Sequence, residues 1–425
     1  MEYPASVDLR DPVQKYSKAF ATEEDLAIAE AMHEFVDREV MPRRLDLDGG
    51  FHRDRELAKK TFHQIRKKLV DLGWQRAWFP KEYGGLGMDS RVTNAIFTEE
   101  LSRGDPDIAE HFGTAVWGLQ AAMLVNNETV LKRFAPIFCG SEVCDGCFAM
   151  TEPAGGCNVE DVYCQHGRTI QTRAELKGNE WVVNGQKLWP GPIIDSIIYS
   201  TACTIDPEKG DDGIVVIDVP KGTPGLSFGK PEELMGRVCT AKNGSIFYDD
   251  VRVPKEYCSG APGGQGAWVL KQMVSARFDS APEALGPAQA CLEIAIDYLK
   301  DRYIVGKPVR DRSLIAATIG EMAMKIQAAR SYYLNVAYMF DHPEIYGDPI
   351  SLQQVARASA CKNFATEVAE WVCRQAMGLM GSYGYSTGAH VEKYLRDLPI
   401  IRIWMAGVHG AMLDTARGEY PFESW

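Results

Sequence analysis

The sequence predicts an α+β protein in three parts: an all-helical domain over residues 1–142, a compact antiparallel β domain over 143–258, and a second helical domain over 259–425. Three observations predict this order. Apolar residues recur at the helical period on both flanks. The middle alternates β-favouring and polar residues between turn dipeptides. The glycine-rich run SGAPGGQGA (259–267) reads as a hinge between the β domain and the second helical domain.

On the first flank, Thr22 precedes Glu23, Glu24 and Asp25, as an N-cap before an acidic first turn should. Ile28, Met32, Phe35 and Val36 then share one helical face. Similar stretches follow at 55–72, 90–103 and 114–134, with the loop FPKEYGGLGMDS (79–90) marked by Pro80, Gly84, Gly85 and Gly87. In the middle, RTIQTRAELKGNEWVVNGQKLW carries Gly178-Asn179 and Asn184-Gly185 at hairpin spacing, and DSIIYSTACT, DGIVVIDVP, GLSFGK and GSIFYDDVRVP continue as short strands. Beyond residue 267 the helical period returns over 268–300, 311–342, 350–380, 391–397 and 404–417.

The net charge of -12 argues against nucleic acid or an anionic membrane as the main partner. MEYPASVDLRD lacks a basic segment followed by an apolar one, so no secretory signal is expected. No apolar run approaches the ~18 residues of a membrane span. The 11 cysteines are scattered without a framework and read as reduced thiols of a cytoplasmic protein. Cys144 and Cys147 form a C-x-x-C with no second pair for zinc, so they read as small apolar residues near a strand start.

Four segments in this order resemble the acyl-CoA dehydrogenase family of flavoproteins: FPKEYGGLGMDS, FAMTEPAGGCNVED (148–161), VVNGQKLWPGPIIDSIIYS and GSYGYSTGAHVEKYLRD. The resemblance covers nearly the whole chain and implies a barrel-like β domain and a C-terminal four-helix bundle. It implies FAD as cofactor, an acyl-CoA substrate, an electron-transfer flavoprotein as acceptor and a homotetramer. By this resemblance Met150 and Thr151 bond the pyrimidine edge of the flavin, which favours electron density on the ring. Trp189 walls the ring, and Gly191 stands near its N5 in place of a usual Thr or Ser. Arg302 reaches a neighbouring subunit's FAD pyrophosphate with a forked donor set, although Val305 replaces the motif's usual Phe. Gly381 and Gly384 let the backbone approach the adenosine half, with Gly378 in place of a usual Gln. On the CoA side the resemblance implies Arg277, Ser280 and Cys157, the last a poorer hydrogen-bond partner than the usual Ser, with Asn158 beside it where Asp is usual.

The resemblance also implies a glutamate that takes the α-proton while hydride leaves the β-carbon. The expected address is Gly388, and the alternative address, before Arg277, is Ala276; neither holds a carboxylate. Gly388 keeps its N–H for the thioester carbonyl. Its lost side chain, with that of Gly191, implies a wider cavity suited to a ring-bearing or branched acyl group. A later Glu-Gly-Thr of the family reads Met405-Ala406-Gly407. Replacement bases are Asp279, three residues past Ala276 on a helix face, then Glu283, the cluster Asp105, Asp107 and Glu110, and His390. Each has a bland alternative. Asp105 and Asp107 flank Pro106 and suit a turn or cap, Asp279 suits a cap or a pair with Arg277, and His390 suits an exposed helix start. Glu392 and Arg396 form a structural i,i+4 pair.

Overall fold

The computed structural model describes residues 10–156, 160–161, 163, 166–236 and 242–421. Five longer helices come first: α1 (Glu23–Phe35), α2 (Arg55–Asp71), α3 (Arg91–Gly104), α4 (Pro106–Leu124) and α5 (Glu128–Phe138). Thr22 closes a capping box with Asp25 at the head of α1. The expected single helix over 114–134 is instead two. Asp105 caps α4 by accepting the N–H groups of Asp107 (2.9 Å) and Ile108 (3.3 Å), and Pro106 takes the first helical position, where no N–H is needed. Asn126 then turns the chain at φ 49° and Asn127 caps α5.

The strands are β1 (Asp145–Ala149), β2 (Arg173–Lys177), β3 (Glu180–Lys187), β4 (Ser196–Thr204), β5 (Ile214–Pro220), β6 (Leu226–Phe228), β7 (Ile246–Pro254) and β8 (Cys258–Gly260). They form one twisted sheet in the order β6-β7-β3-β2-β4-β5-β8, with β1 alongside β4. The sheet is mixed rather than purely antiparallel: β1 and β2 both run parallel to β4, neither being joined to it by a hairpin. Gly178-Asn179 makes the β2–β3 turn. Asn184-Gly185 does not turn; it lies inside β3, where the register against β7 slips between Val183 and Gly185. A Cβ at Gly185 would come within 2.8 Å of Thr172 Cα, so glycine serves a close backbone approach there. The run 259–267 is an ordered turn rather than a hinge, Gly263 donating to Asp212 O at 2.9 Å and Gly266 to Ala261 O at 2.8 Å.

Six longer helices complete the chain: α6 (Gln265–Ser275), α7 (Ser280–Lys300), α8 (Ser313–Asp341), α9 (Leu352–Met380), α10 (Val391–Ile403) and α11 (Gly407–Glu419). The expected helix over 268–300 breaks at 276–279, and α11 starts at Gly407 because Met405 and Ala406 are left-handed. The main core joins α3 to α7, α8, α9 and α10 through Ile96, Phe278, Leu285, Tyr333, Val372 and Ile401. Each such large apolar side chain, fully buried, stabilises the fold by about 1.5–3 kcal/mol. Helices α3 and α7 cross tightly: a Cβ at Gly286 would lie 2.5 Å from Arg103 N. The crossing also buries Glu99, which pairs with Arg330 at 2.6 Å and accepts from Tyr333 Oη at 2.5 Å. A second core lies between α4, α5 and one face of the sheet; a third, smaller one lies under α6 on the other face. No helix among the described residues is long and apolar enough to cross a membrane.

Candidate active site

On the sheet side, the segment after β1 is pinned to the end of β3 by two buried charges. Lys187 Nζ donates to Glu152 Oε1 at 2.7 Å and to Met150 O at 2.9 Å. Glu152 also accepts the N–H groups of Gln171 (2.6 Å) and Thr172 (3.0 Å). Burial pushes the Glu152 carboxyl up, but Lys187 and these donors outweigh it and hold it below the usual range. Leu188 N donates to Thr151 O at 2.8 Å, so Met150 and Thr151 are fixed beside Trp189. The Trp189 side chain stands out of the sheet, 53% exposed, on a left-handed backbone (φ 65°), rather than in the core. Asn243 Nδ2 holds its carbonyl at 2.6 Å. The same amide fills the space beside Gly191, where a Cβ would lie 2.7 Å from Nδ2. The glycine at 191 therefore does not widen the site as expected; Asn243 replaces the missing bulk.

On the helix side, residues 276–280 meet a buried turn, 404–407. Trp404 Nε1 donates to Ser280 Oγ at 3.0 Å, and Ser280 Oγ lies 3.8 Å from Met405 Sδ. Met405, Ala406 and Gly407 are left-handed in succession (φ 50°, 68° and 62°), a conformation that needs external support in non-glycine residues. Lys362, itself fully buried, supplies it, donating to Trp404 O, Met405 O (2.9 Å) and Gly407 O (3.2 Å). The Ala406 N–H donates to the carboxylate of Glu160. Sequence reasoning missed Lys362, Glu152, Lys187 and Glu160. The sequence does carry a signal for the turn, since Met405-Ala406-Gly407 departs from the family's Glu-Gly-Thr.

Arg277 is 0% exposed and pairs with Asp414 of α11 at 2.9 Å rather than lining an open CoA channel. It also donates to Glu160 O. Asp414 accepts from Ser359 Oγ at 2.8 Å, and Arg417 holds Asp161 through two bonds of 2.8 and 2.9 Å. These contacts clamp residues 160–161 onto the 276–279 break and α11. Cys157 and Asn158 lie outside the described residues.

The acidic candidates separate. Asp105 has both carboxylate oxygens engaged, Oδ1 capping α4 and Oδ2 on Lys393 Nζ at 2.8 Å. Asp397 shares that ammonium at 2.5 Å. Asp107 is buried on the first turn of α4, its carbonyl 3.1 Å from His111 Nδ1. Asp279 faces Arg91 at 3.5 Å, not Arg277, and burial, with Asp341 nearby, raises its pKa to about 6. That puts it at the head of α3, while the next residue, Ser280, faces the 404–407 turn. Ser102 Oγ donates to the main-chain carbonyl of buried Glu283 at 2.5 Å, locking that turn of α7 to α3. Glu110 is different. Helix α4 is largely buried, yet Glu110, Gly113, Trp117 and Gln120 leave a partly open stripe along one face. A Cβ at Gly113 would meet nothing within 4 Å. Trp117 packs edge-on against Phe148 at 6.4 Å, so the stripe leads to the Met150 segment.

Gly388 is exposed in the 387–389 turn, beside buried Ala389, and an added Cβ would find only Ser386 Oγ, at 3.9 Å. The residues gathered at 276–280 are those of the 404–407 turn instead. His390 follows at φ 62°, half-buried; burial, then Arg44 and Lys393, lower its pKa to about 4, so it is not an exposed cation. Gly381 (φ 62°) is open, but Gly384 is needed by the fold itself, a Cβ there lying 2.7 Å from Met377 O. Arg302 is exposed beside Tyr298, which stacks on Tyr383 at 5.2 Å. Glu392 and Arg396 pair at 2.7 Å as expected. Cys144 and Cys147 are buried free thiols, one just before β1 and one in its middle.

A helical region, a central sheet with a protruding indole just past β3, and a second helical region define an α+β architecture. The match to known families is specific. The acyl-CoA dehydrogenase N-terminal domain matches residues 22–137, its middle domain 147–251 and its C-terminal domain 264–416. The chain belongs to the acyl-CoA dehydrogenase family. It is 30% identical over 386 residues to cyclohex-1-ene-1-carbonyl-CoA dehydrogenase of Syntrophus aciditrophicus, covering 90% of this chain and 86% of that one. It is 28% identical over 372 residues to glutaryl-CoA dehydrogenase of Desulfococcus multivorans, covering 86% and 88%. The structure of butyryl-CoA dehydrogenase from Megasphaera elsdenii superposes with a TM-score of 0.79 at 26% identity, over 93% of this chain and 98% of that one. The protein is an oxidoreductase of this family, and the family's cofactor is FAD. The exposed Trp189 indole beside the pinned Thr151 fits an isoalloxazine, which takes a flat apolar wall and a polar edge.

Proposed function

We propose that this enzyme dehydrogenates a bulky, ring-bearing or branched acyl-CoA thioester. FAD, when bound, supplies the two-electron acceptor. The chain's own part is to polarise the thioester carbonyl, place the acyl group and remove a proton. The observation that carries the substrate reading is the open stripe of α4: Gly113 leaves room beside Trp117 that a larger residue would fill. The name of the Syntrophus relative supports a ring. In this reading positions 388 and 276 carry no carboxylate, and the donor for the thioester oxygen is the Met405 amide of the braced 404–407 turn rather than that of exposed Gly388, since the amides of Trp404, Ala406 and Gly407 already donate to Ile400 O, the Glu160 carboxylate and Trp404 O. Electron-transfer flavoprotein is the acceptor, and the working form is a homotetramer in which exposed Arg302 serves a neighbouring subunit's FAD.

A second reading is favoured by one residue. Glu110 on the open stripe can take a proton from a ring carbon remote from the thioester, giving a 1,4-elimination. Anaerobic titration with butyryl-, octanoyl-, cyclohexanecarbonyl- and cyclohexenecarbonyl-CoA tests the substrate class. The ring thioesters should bleach the flavin fastest; fastest bleaching by octanoyl-CoA overturns it.

A further inference from the structure

Resting on that reading, we propose that Glu160 is the proton acceptor for the α-C–H of the acyl thioester. Three observations converge on it. Its carboxylate takes the main-chain N–H of Ala406, inside the strained turn whose carbonyls Lys362 holds. Its own carbonyl is held by Arg277, which Asp414 fixes in place, so the residue is anchored next to the turn. The buried side chain at the turn itself is Met405, which has no proton-accepting oxygen. A thioester oxygen on the Met405 N–H brings its α-carbon two bonds away, beside the carboxylate that already holds the next amide, that of Ala406.

Asp105, Asp397 and Asp279 are placed for different work. Asp105 caps α4 and shares Lys393 with Asp397, and Asp279 faces Arg91. In the step assigned to Glu160, the α-C–H pair becomes the new C=C bond as the proton moves to a Glu160 oxygen. FAD, when bound, would accept the β-hydrogen together with the electron pair, so the thioester gives up two electrons and one hydrogen to the cofactor and one proton to Glu160. Glu160 then returns its proton to solvent after the enoyl product leaves.

The test compares wild type, Glu160→Gln, Glu160→Asp and Glu110→Gln as FAD-loaded proteins. Three quantities are read: bound FAD per chain, affinity for a non-oxidisable 3-thia-acyl-CoA, and washout of α-deuterium from deuterated cyclohexanecarbonyl-CoA followed by NMR. Glu160→Gln should lose washout and flavin bleaching by about 10²–10⁴-fold, with FAD content and analogue affinity unchanged and Glu160→Asp partly restoring both rates. Three results overturn the assignment: washout by Glu160→Gln at the wild-type rate, loss confined to Glu110→Gln, or loss of FAD by Glu160→Gln that Glu160→Asp repairs. A wild-type enzyme reduced by none of the thioesters overturns the proposed function and this assignment together; a reduced wild type with an equally active Glu160→Gln overturns this assignment alone.

Discussion

The turns at 387–390 and 404–407 each close with a local bond, His390 N to Thr387 O and Gly407 N to Trp404 O (both 3.2 Å), and differ in what reaches them from elsewhere in the chain. Each carries a left-handed non-glycine residue, His390 at φ 62° and Ala406 at φ 68°. The first is held by bonds that reach three residues along the chain, such as Ala389 N to Ser386 O at 3.0 Å and His390 N to Thr387 O at 3.2 Å. The second is held from afar as well, by Lys362 in α9, Ser280 in α7 and Glu160 in the segment between β1 and β2. A strained conformation persists where its surroundings over-determine it, and such places collect at functional sites. Local likeness to a motif singles out the first turn, while long-range bracing singles out the second.

Four substitutions probe the contrast, in falling order of effect. Asp414→Ala removes the partner of a buried guanidinium and should destabilise by about 3–5 kcal/mol in urea unfolding, because Arg277 stays charged and dry. A loss below ~1 kcal/mol would mean the clamp on residues 160–161 is not maintained in solution. Lys362→Met leaves the carbonyls of the second turn without their donor and should lower stability by about 3 kcal/mol.

His390→Asn tests the first turn by pH. The folded-state pKa of about 4 lies below the ordinary 6.5, so over that window the unfolded chain binds a proton the native protein refuses. Stability contributed by the neutral ring is present above pH ~6.5 and is lost as pH falls toward ~4. Discounted for partial exposure, His390→Asn should make the protein about 1 kcal/mol less sensitive to that drop, with Asn still suited to the left-handed backbone. An unchanged acid limb in thermal melts would show that the imidazole is protonated normally. Gly388→Ala comes last. Nothing obstructs its Cβ, and the smaller set of unfolded conformations should stabilise by about 0.4–1 kcal/mol. A large loss of stability or of flavin reduction in that variant would restore the first turn to the chemistry.

The helix–sheet–helix order was legible because periodicity and turn chemistry are local. Thr22, Asp25, Gly178 and the Glu392–Arg396 pair do what their spacing implies. Asn184-Gly185 misled for a local reason too: the dipeptide suits a hairpin, but Thr172 packs where a side chain would stand. The site was legible in part. Thr151 and Trp189 come together at the end of β3, whereas Asn243, 52 positions past Gly191, fills a gap that position 191 alone implies. Asp279 and Ser280 are neighbours in the chain but face different elements, because the break at 276–279 and the start of α7 set their directions. Such directions come from tertiary packing and leave no trace in spacing.

The indole of Trp189 carries a spectroscopic consequence. It stands clear of the sheet, with its main chain tied down by Asn243. A flat chromophore laid against it would drain its excited state, so one tryptophan among the 9 in the chain becomes a built-in gauge of occupancy. Stripping the flavin should brighten and red-shift that single contribution, and a Trp189→Phe protein should be deaf to the change.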